Sequence, residues 1–277
     1  MTNGPVSGPP PSGPVGRAPT AAGAPAPSLK ARARSGTGLR GIWLTVLGPD
    51  GTECLSGLDL DWVGLDTQHG ALRSDRIAGH VRALDLLGLP ALVRTAGHSR
   101  TEIQFALDAG AQGVIVPAVE SAATASEIAG ACHFPPRGTR STGLSRPGVL
   151  AGMIPPRPDE DTLCLPMIET SGGLANAADI ATVDGVDGLF VGPYDLGLSL
   201  APDAPDAGGA EVLAAVEQVF ALCAAAGKLT AVFAGAAPLA HRWRSAHLLA
   251  VDTDVAFLHA GAAAALAAVA RDGPVEP

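Results

Sequence analysis

Residues 58–75 read "LDLDWVGLDTQHGALRSD". Trp62 to Leu65 make an apolar run of strand length that stops abruptly in Asp66, Gln68 and His69 before a glycine. A strand apolar on successive residues is covered on both faces, the pattern of a parallel sheet. The same texture returns in "GIWLTVL" (41–47), "ALVRT" (91–95), "GVIVPAV" (113–119) and "LCLPMIE" (163–169). It returns again in "GLFVGP" (188–193), "LTAVFA" (229–234) and "LLAVDTD" (248–254). Helical spacing fills most of the intervals. Ile103, Ala106 and Leu107 share a face ahead of Gly110, and Ser121 stands as an N-cap before an alanine-rich segment. Val212, Ala215, Val216, Val219 and Leu222 form a stripe closed by Gly227. Eight βα repeats in roughly 240 residues predict a single (β/α)8 TIM barrel. A doubly wound open sheet would carry a Gly-rich turn after its first strand, and "LGPDGTE" (47–53) has no G-x-G-x-x-G.

Composition narrows the function classes. Hydrophobic residues make up 47% of the chain, aromatics only 4%, and the net charge is −9, which argues against a nucleic-acid binder. Cys54, Cys132, Cys164 and Cys223 form no C-x-x-C pair and read as buried free thiols in a reducing compartment. The N-terminus has no apolar central segment of a secretory signal, and "AGAAAALAAVA" (260–270) is shorter than the ~20 residues of a membrane span. A cytoplasmic protein without membrane contact is expected. Residues 1–36, rich in Pro, Gly and Ala, have no apolar periodicity and read as a disordered extension, with Lys30, Arg32, Arg34 and Arg40 as a solvated basic cluster. The barrel is expected over 37–272, with 273–277 as a C-terminal tail.

In such a barrel the loops after the strands build the catalytic face. Strand two delivers Asp66, Gln68 and His69 there, strand three Arg94, strand five Glu169, and strand six Asp195. Each has a bland reading as a cap, a pair or a structural hydrogen bonder, but four strands converging on one rim favour one site. Glu169 and Asp195 make a hard oxygen site suited to Mg²⁺ or Mn²⁺. Arg94 and the metal would stabilise negative charge developing on an oxygen. His69 is the proton-transfer group near neutral pH, with Asp66 three residues earlier expected to hold its other ring nitrogen. Glycines in "VGPYDLG" (191–197) let backbone N–H groups approach a substrate carboxylate. Such a set describes formation and reprotonation of an enolate next to a carboxylate. No lysine stands at these strand ends, which disfavours a Schiff-base aldolase.

Five segments, "WVGLDTQHG" (62–70), "PALVRT" (90–95), "ALDAGAQGVIVPAVESAATASEIAGACHFPPRGTRSTG" (106–143), "LPMIET" (165–170) and "GVDGLFVGPYDLGLSLA" (185–201), resemble in order the HpcH/HpaI family of class II pyruvate aldolases. The resemblance spans roughly residues 39–270. It implies a (β/α)8 barrel, a homo-trimer or hexamer with its last helix on a neighbouring subunit, and aldol or retro-aldol chemistry on a 2-oxo acid and an aldehyde. A divalent metal (Mg²⁺, Mn²⁺ or Co²⁺) is implied on Glu169 and Asp195, with His69 and Asp66 as the acid–base dyad and Arg94 on the keto oxygen. Gly192, Pro193 and Tyr194 are implied as the seat of the pyruvate carboxylate, with Gln68 as a further substrate-binding residue near the metal. Three residues depart from the family pattern: Gln68 for a frequent Glu, Met167 for a common glutamine, and Tyr194 for a common alanine. The segment 145–161 and the loop after strand one look compressed.

Two related activities and one inactive reading compete with this. Oxaloacetate decarboxylation would use the same residues. A citryl- or malyl-thioester lyase shares the Glu/Asp pair but not "DTQHG". A non-catalytic barrel sits poorly with an intact metal pair. Of the remaining histidines, His98, just past Arg94, is the one expected near the site, and His259 is expected at a helix or subunit contact.

Overall fold

The computed structural model describes residues 27–150 and 159–269. Its first half runs Leu29–Ser35 (α1), Leu39–Leu44 (β1), Pro49–Thr52 (α2), Trp62–Asp66 (β2), Ile77–Leu86 (α3) and Ala91–Arg94 (β3). Arg100–Ala109 (α4), Gly113–Val116 (β4), Ala122–Cys132 (α5), Arg146–Leu150 (α6) and Leu163–Ile168 (β5) follow. The second half runs Ser171–Ala175 (α7), Ala177–Thr182 (α8), Gly188–Val191 (β6), Pro193–Leu200 (α9) and Ala210–Ala225 (α10). Leu229–Phe233 (β7), Ala237–Arg242 (α11), Leu248–Thr253 (β8) and Asp254–Ala268 (α12) complete it. The eight strands pair in sequence order, all parallel, and β8 closes on β1. The chain is a (β/α)8 barrel.

Local chemistry sets the element ends. Ser121 Oγ accepts from Thr124 N at the start of α5, and Gly110, at φ 109°, ends α4 in the left-handed conformation that glycine tolerates. In α10, Val212, Ala215, Val216, Val219 and Cys223 are buried, while Leu222 is half-buried. One core lies between sheet and helices; a second fills the barrel. Inside, β1 and β2 exchange large and small residues: Gly41 pairs with Trp62, and Trp43 with Gly64. A Cβ on either glycine would stand 2.4 Å from the opposing indole, so each glycine makes room for one ring. The two indoles meet edge to face at 6.5 Å.

The expected disordered extension ends earlier than residue 36. Residues 1–26 and 270–277 lie outside the described residues, as do 151–158 of the compressed segment, but residues 29–35 are helical. Ser28 caps α1, and Leu29 and Ala33, one turn apart, join the interior core. Leu29 N–H donates to Gln112 Oε1 (2.8 Å), Lys30 Nζ to the Thr162 carbonyl (2.9 Å), and Lys30 pairs with Asp187 at 2.7 Å. Arg32 pairs with Asp61. Asp61, Gln112, Thr162 and Asp187 each precede a strand, so α1 closes the N-terminal end of the barrel, opposite the catalytic face. The basic cluster is thus largely engaged: Lys30 is 4% exposed.

Helix α12 is the reverse case. Of its fifteen residues only Asp254 is buried, and Phe257, Leu258 and Leu266 lie open. Among the described residues no helix is long and apolar enough to cross a membrane. Cys132, Cys164 and Cys223 are buried as expected; Cys54 is exposed, because it lies in a short turn after α2 rather than on a packed face.

Candidate active site

All the predicted site residues meet at the C-terminal end of the strands. Asp66 closes β2 and Arg94 closes β3, and the ladder sets them directly opposite one another. Arg94 Nε donates to Asp66 Oδ1 (2.9 Å) and Nη2 to Oδ2 (2.5 Å), a two-point fork inside a buried site. Trp43 Nε1 adds a bond to Oδ2 (3.2 Å), and the Arg94 guanidinium lies 5.4 Å from the Trp43 ring centroid. Gln68 and His69 donate their backbone N–H groups to Asp66 Oδ1 at 3.0 and 3.1 Å.

The last two bonds correct the expected dyad. Asp66 holds the main chain of His69, not its imidazole. The turn after β2 folds back so that two N–H groups reach the carboxylate, and the guanidinium on the next strand takes the rest of it. Gly70, at φ +90°, completes the turn. A Cβ there would sit 2.4 Å from the Thr45 carbonyl. His69 itself is exposed at the cavity mouth.

Glu169 follows β5 and is 4% exposed. Its Oε1 accepts from Ala118 N–H at 2.7 Å, and Ala118 holds a left-handed φ of 49°, a strained backbone at the donor. Its Oε2 is buried without a hydrogen-bond partner. Burial pushes the Glu169 pKa up. The Ala118 bond works against burial, the Asp195 charge adds to it, and Arg94 and His69 oppose it. Gly192 allows this packing, because a Cβ would come within 2.9 Å of Oε2 and 2.5 Å of the Met167 methyl. Pro193 opens α9, whose first turn places Asp195 over the strand ends.

Two adjoining cavities share His69 and Asp195. One, of about 310 Å³, is lined by Gln68, Ala118, Glu169 and Ser199 besides. The other, of about 250 Å³, holds Arg94 and Gly192 with Trp43, Met167, Tyr194 and Phe233. Gln68 Oε1 is also buried and unpartnered. Two orphaned oxygens and the Asp195 carboxylate around one cavity suit a hard cation completed by water and substrate. Among the described residues no group of three or more His, Cys, Asp or Glu is arranged to hold a metal, and the Gln68 side chain lines the same cavity as the two carboxylates.

The sequence profile described as "HpcH/HpaI aldolase/citrate lyase" matches residues 40–257. The chain belongs to the HpcH/HpaI family. It is 40% identical over 196 residues to a hydroxypyruvate/pyruvate aldolase of Rhizorhabdus wittichii, covering 70% of this chain and 78% of the relative. It is 32% identical to a 4-hydroxy-2-oxo-heptane-1,7-dioate aldolase of Salmonella paratyphi C, covering 81% and 87%. A solved HpcH/HpaI family protein from Burkholderia cenocepacia superposes with a TM-score of 0.79 at 29% identity, over 88% of this chain and 99% of that one. Fold, family and site make this chain a carbon–carbon lyase of the aldolase type.

Within this HpcH/HpaI barrel several site residues escaped sequence reasoning. Trp43 and Phe233 line the cavity, and Thr45 and Thr253 sit at its edge. Trp43 stood in the apolar run of the first strand, and its place at the site follows from strand register, which sets it opposite Gly64. Asp254 carries no cavity wall but accepts from the Thr45 hydroxyl (2.7 Å) and from the N–H groups of Thr45, Val46 and Leu47 at 2.9–3.0 Å. Burial pushes its pKa up, yet those bonds outweigh it and hold the carboxyl below its ordinary value. His98 Nε2 donates to the Pro117 carbonyl (2.7 Å), next to the residue that holds Glu169. His80 and His247 are engaged with Thr52 and Thr230, and His259 lies on the open face of α12.

Proposed function

We infer that the chain cleaves, and in reverse forms, a 4-hydroxy-2-oxo acid, giving pyruvate and an aldehyde with the help of a divalent cation, Mg²⁺, Mn²⁺ or Co²⁺. The observation that carries this reading is the unpartnered Glu169 Oε2, which shares one cavity with Asp195 and His69, next to the cavity that Asp195 and His69 share with Arg94. Glu169, Asp195 and Gln68 would hold the cation, which when bound supplies positive charge against the keto oxygen. The two bonds to Asp66 fix Arg94 so that its remaining Nη1 faces the 2-oxo acid. Gly192 to Asp195, at the start of α9, seats the carboxylate with Pro193 and the Tyr194 backbone.

In cleavage His69 takes the proton of the C4 hydroxyl and the C3–C4 bond breaks. Its electron pair passes to C3 and the keto oxygen, and the aldehyde departs. C3 then takes a proton and becomes the pyruvate methyl. Asp66 serves this step as a positioning residue, because it fixes both the turn that presents His69 and the plane of Arg94.

We further propose a homo-oligomer, trimer or hexamer, in which the apolar side of α12 packs on a neighbouring copy, and a cytoplasmic location. Proton–deuterium exchange at the pyruvate methyl, followed by NMR with each metal and after chelation, tests the reaction without a choice of aldehyde. Metal-dependent exchange is expected. Its absence with all three metals in folded protein overturns the reading.

A further inference from the structure

The two cavities differ in what they offer a substrate. The one holding Glu169 and Gln68 is the oxygen-rich side. The other leads past Arg94 and Gly192 to a wall of Trp43, Phe233 and Tyr194. Trp43 and Phe233 stand 5.7 Å apart between ring centroids, and Phe233 and Tyr194 6.0 Å, so the rings form one continuous surface from the barrel interior to the rim. Tyr194 is 49% exposed, yet it is not a loose surface ring. Gly235, at φ +68°, gives way to it: a Cβ there would stand 2.5 Å from the phenol oxygen and 2.6 Å from Cε2.

Charge is distributed just as unevenly. Among the described residues lining either cavity, Arg94 is the only Lys or Arg, and two of its three nitrogens are bound to Asp66. Among the described residues no second guanidinium or ammonium lines the aromatic wall. The charge that does act on Tyr194 is the Asp252 carboxylate, which together with burial keeps the phenol protonated.

We propose that Tyr194 and Phe233 form the acceptor subsite of this enzyme and select an uncharged aldehyde bearing a ring or hydrocarbon chain over one that ends in a carboxylate. The proposal rests on the aldolase reading above. With the 2-oxo acid held between Arg94, Gly192 and the metal side, the second carbon partner extends along the rings, where apolar surface is stabilised and an anion meets the charge of Asp252 that acts on Tyr194. The cavity, of about 250 Å³, opens at the rim beside Tyr194 and has room for a small acceptor.

The test compares benzaldehyde with succinic semialdehyde as acceptors for pyruvate. Wild type is expected to favour benzaldehyde in kcat/KM by ~10-fold or more. Each ratio is taken within one protein, so any effect of a substitution on the 2-oxo acid step cancels. Tyr194→Phe should keep the ratio, Tyr194→Ala should lower it by ~10-fold, and Tyr194→Arg should reverse it. Equal or better use of succinic semialdehyde by wild type, or an unchanged ratio in Tyr194→Ala, overturns the proposal.

Because Tyr194 is the sole tyrosine, 3-fluorotyrosine labelling gives a single ¹⁹F resonance at the subsite. That resonance should shift with benzaldehyde and not with succinic semialdehyde. No shift with benzaldehyde, or an equal shift with both, overturns the subsite by itself. Pyruvate methyl exchange on the same protein separates the two failures. Loss of exchange refutes the aldolase reading, whereas normal exchange with the wrong acceptor ratio refutes only the subsite.

Discussion

Both ends of the barrel carry a buried cation–aspartate pair, and the two pairs sit in opposite surroundings. At the N-terminal end Lys30 meets Asp187, whose other oxygen accepts from Cys164 N–H at 3.0 Å, and α1 covers the whole. At the C-terminal end Arg94 meets Asp66 with comparable completeness, but its neighbours are not satisfied. Glu169 Oε2 and Gln68 Oε1 are buried without partners, and two cavities open beside them. A buried polar atom left unpartnered costs stability, so a fold that keeps two of them together keeps them for chemistry. Glu102 Oε2 on α4 is also buried without a partner, but Glu169 Oε2 and Gln68 Oε1 are the two that line one cavity together.

The largest effect should come from the unsaturated end. Glu169→Gln or Asp195→Ala should abolish metal-dependent pyruvate exchange without loss of thermal stability. For Glu169→Gln stability should hold or rise, because a buried charge with an incomplete shell is removed. Wild-type exchange in either variant would break the contrast. His69→Ala should slow exchange by ~10²–10⁴-fold, again with an unchanged melting curve.

The saturated end should answer in the other currency of measurement, stability. Lys30→Ala leaves Asp187 with weaker company and should destabilise by up to about 3–5 kcal/mol in denaturant melts, with normal exchange per folded molecule. Deleting residues 1–35 removes the same pair together with Leu29 and should lower the melting temperature. A melt indistinguishable from wild type would show α1 to be dispensable.

Asp254 gives the finest test, since it lies at the catalytic end yet is saturated by five donors, the four from Thr45, Val46 and Leu47 and the Val255 N–H. Its folded pKa is depressed, so its stabilisation is present above the unfolded carboxylate range near 3.8 and is lost as pH falls through the lower folded value. Asp254→Asn should cost about 1–3 kcal/mol near neutrality and flatten that acid limb. An unaltered acid limb would mean that position along the barrel matters more than saturation.

These contrasts also explain what the sequence revealed. The eight strands were legible because each is an apolar run, and the catalytic ends were legible because a barrel sends the polar residues that end strands two, three, five and six to one face. Helix α1 was not legible. "LKARARS" offers only Leu29 and Ala33 to a core, and Lys30 is buried only because a partner 157 positions away faces it. The Asp66 role was misread for a related reason: its partner Arg94 is set by strand register, and its bonds to residues 68 and 69 come from main-chain groups that carry no side-chain signature. The exchange of Gly41 and Gly64 against Trp62 and Trp43 is likewise a property of two strands together.

Helix α12 presents Phe257, Leu258 and Leu266 outward on one element. In the proposed assembly that helix finds its cover on another copy, which ties the fold to mass action. Dilution should lower the melting temperature, and a newly synthesised subunit would carry a sticky, solvent-facing segment until a second one arrives. The interval between release from the ribosome and first encounter is then the moment at which this protein is most exposed to aggregation and to proteolysis.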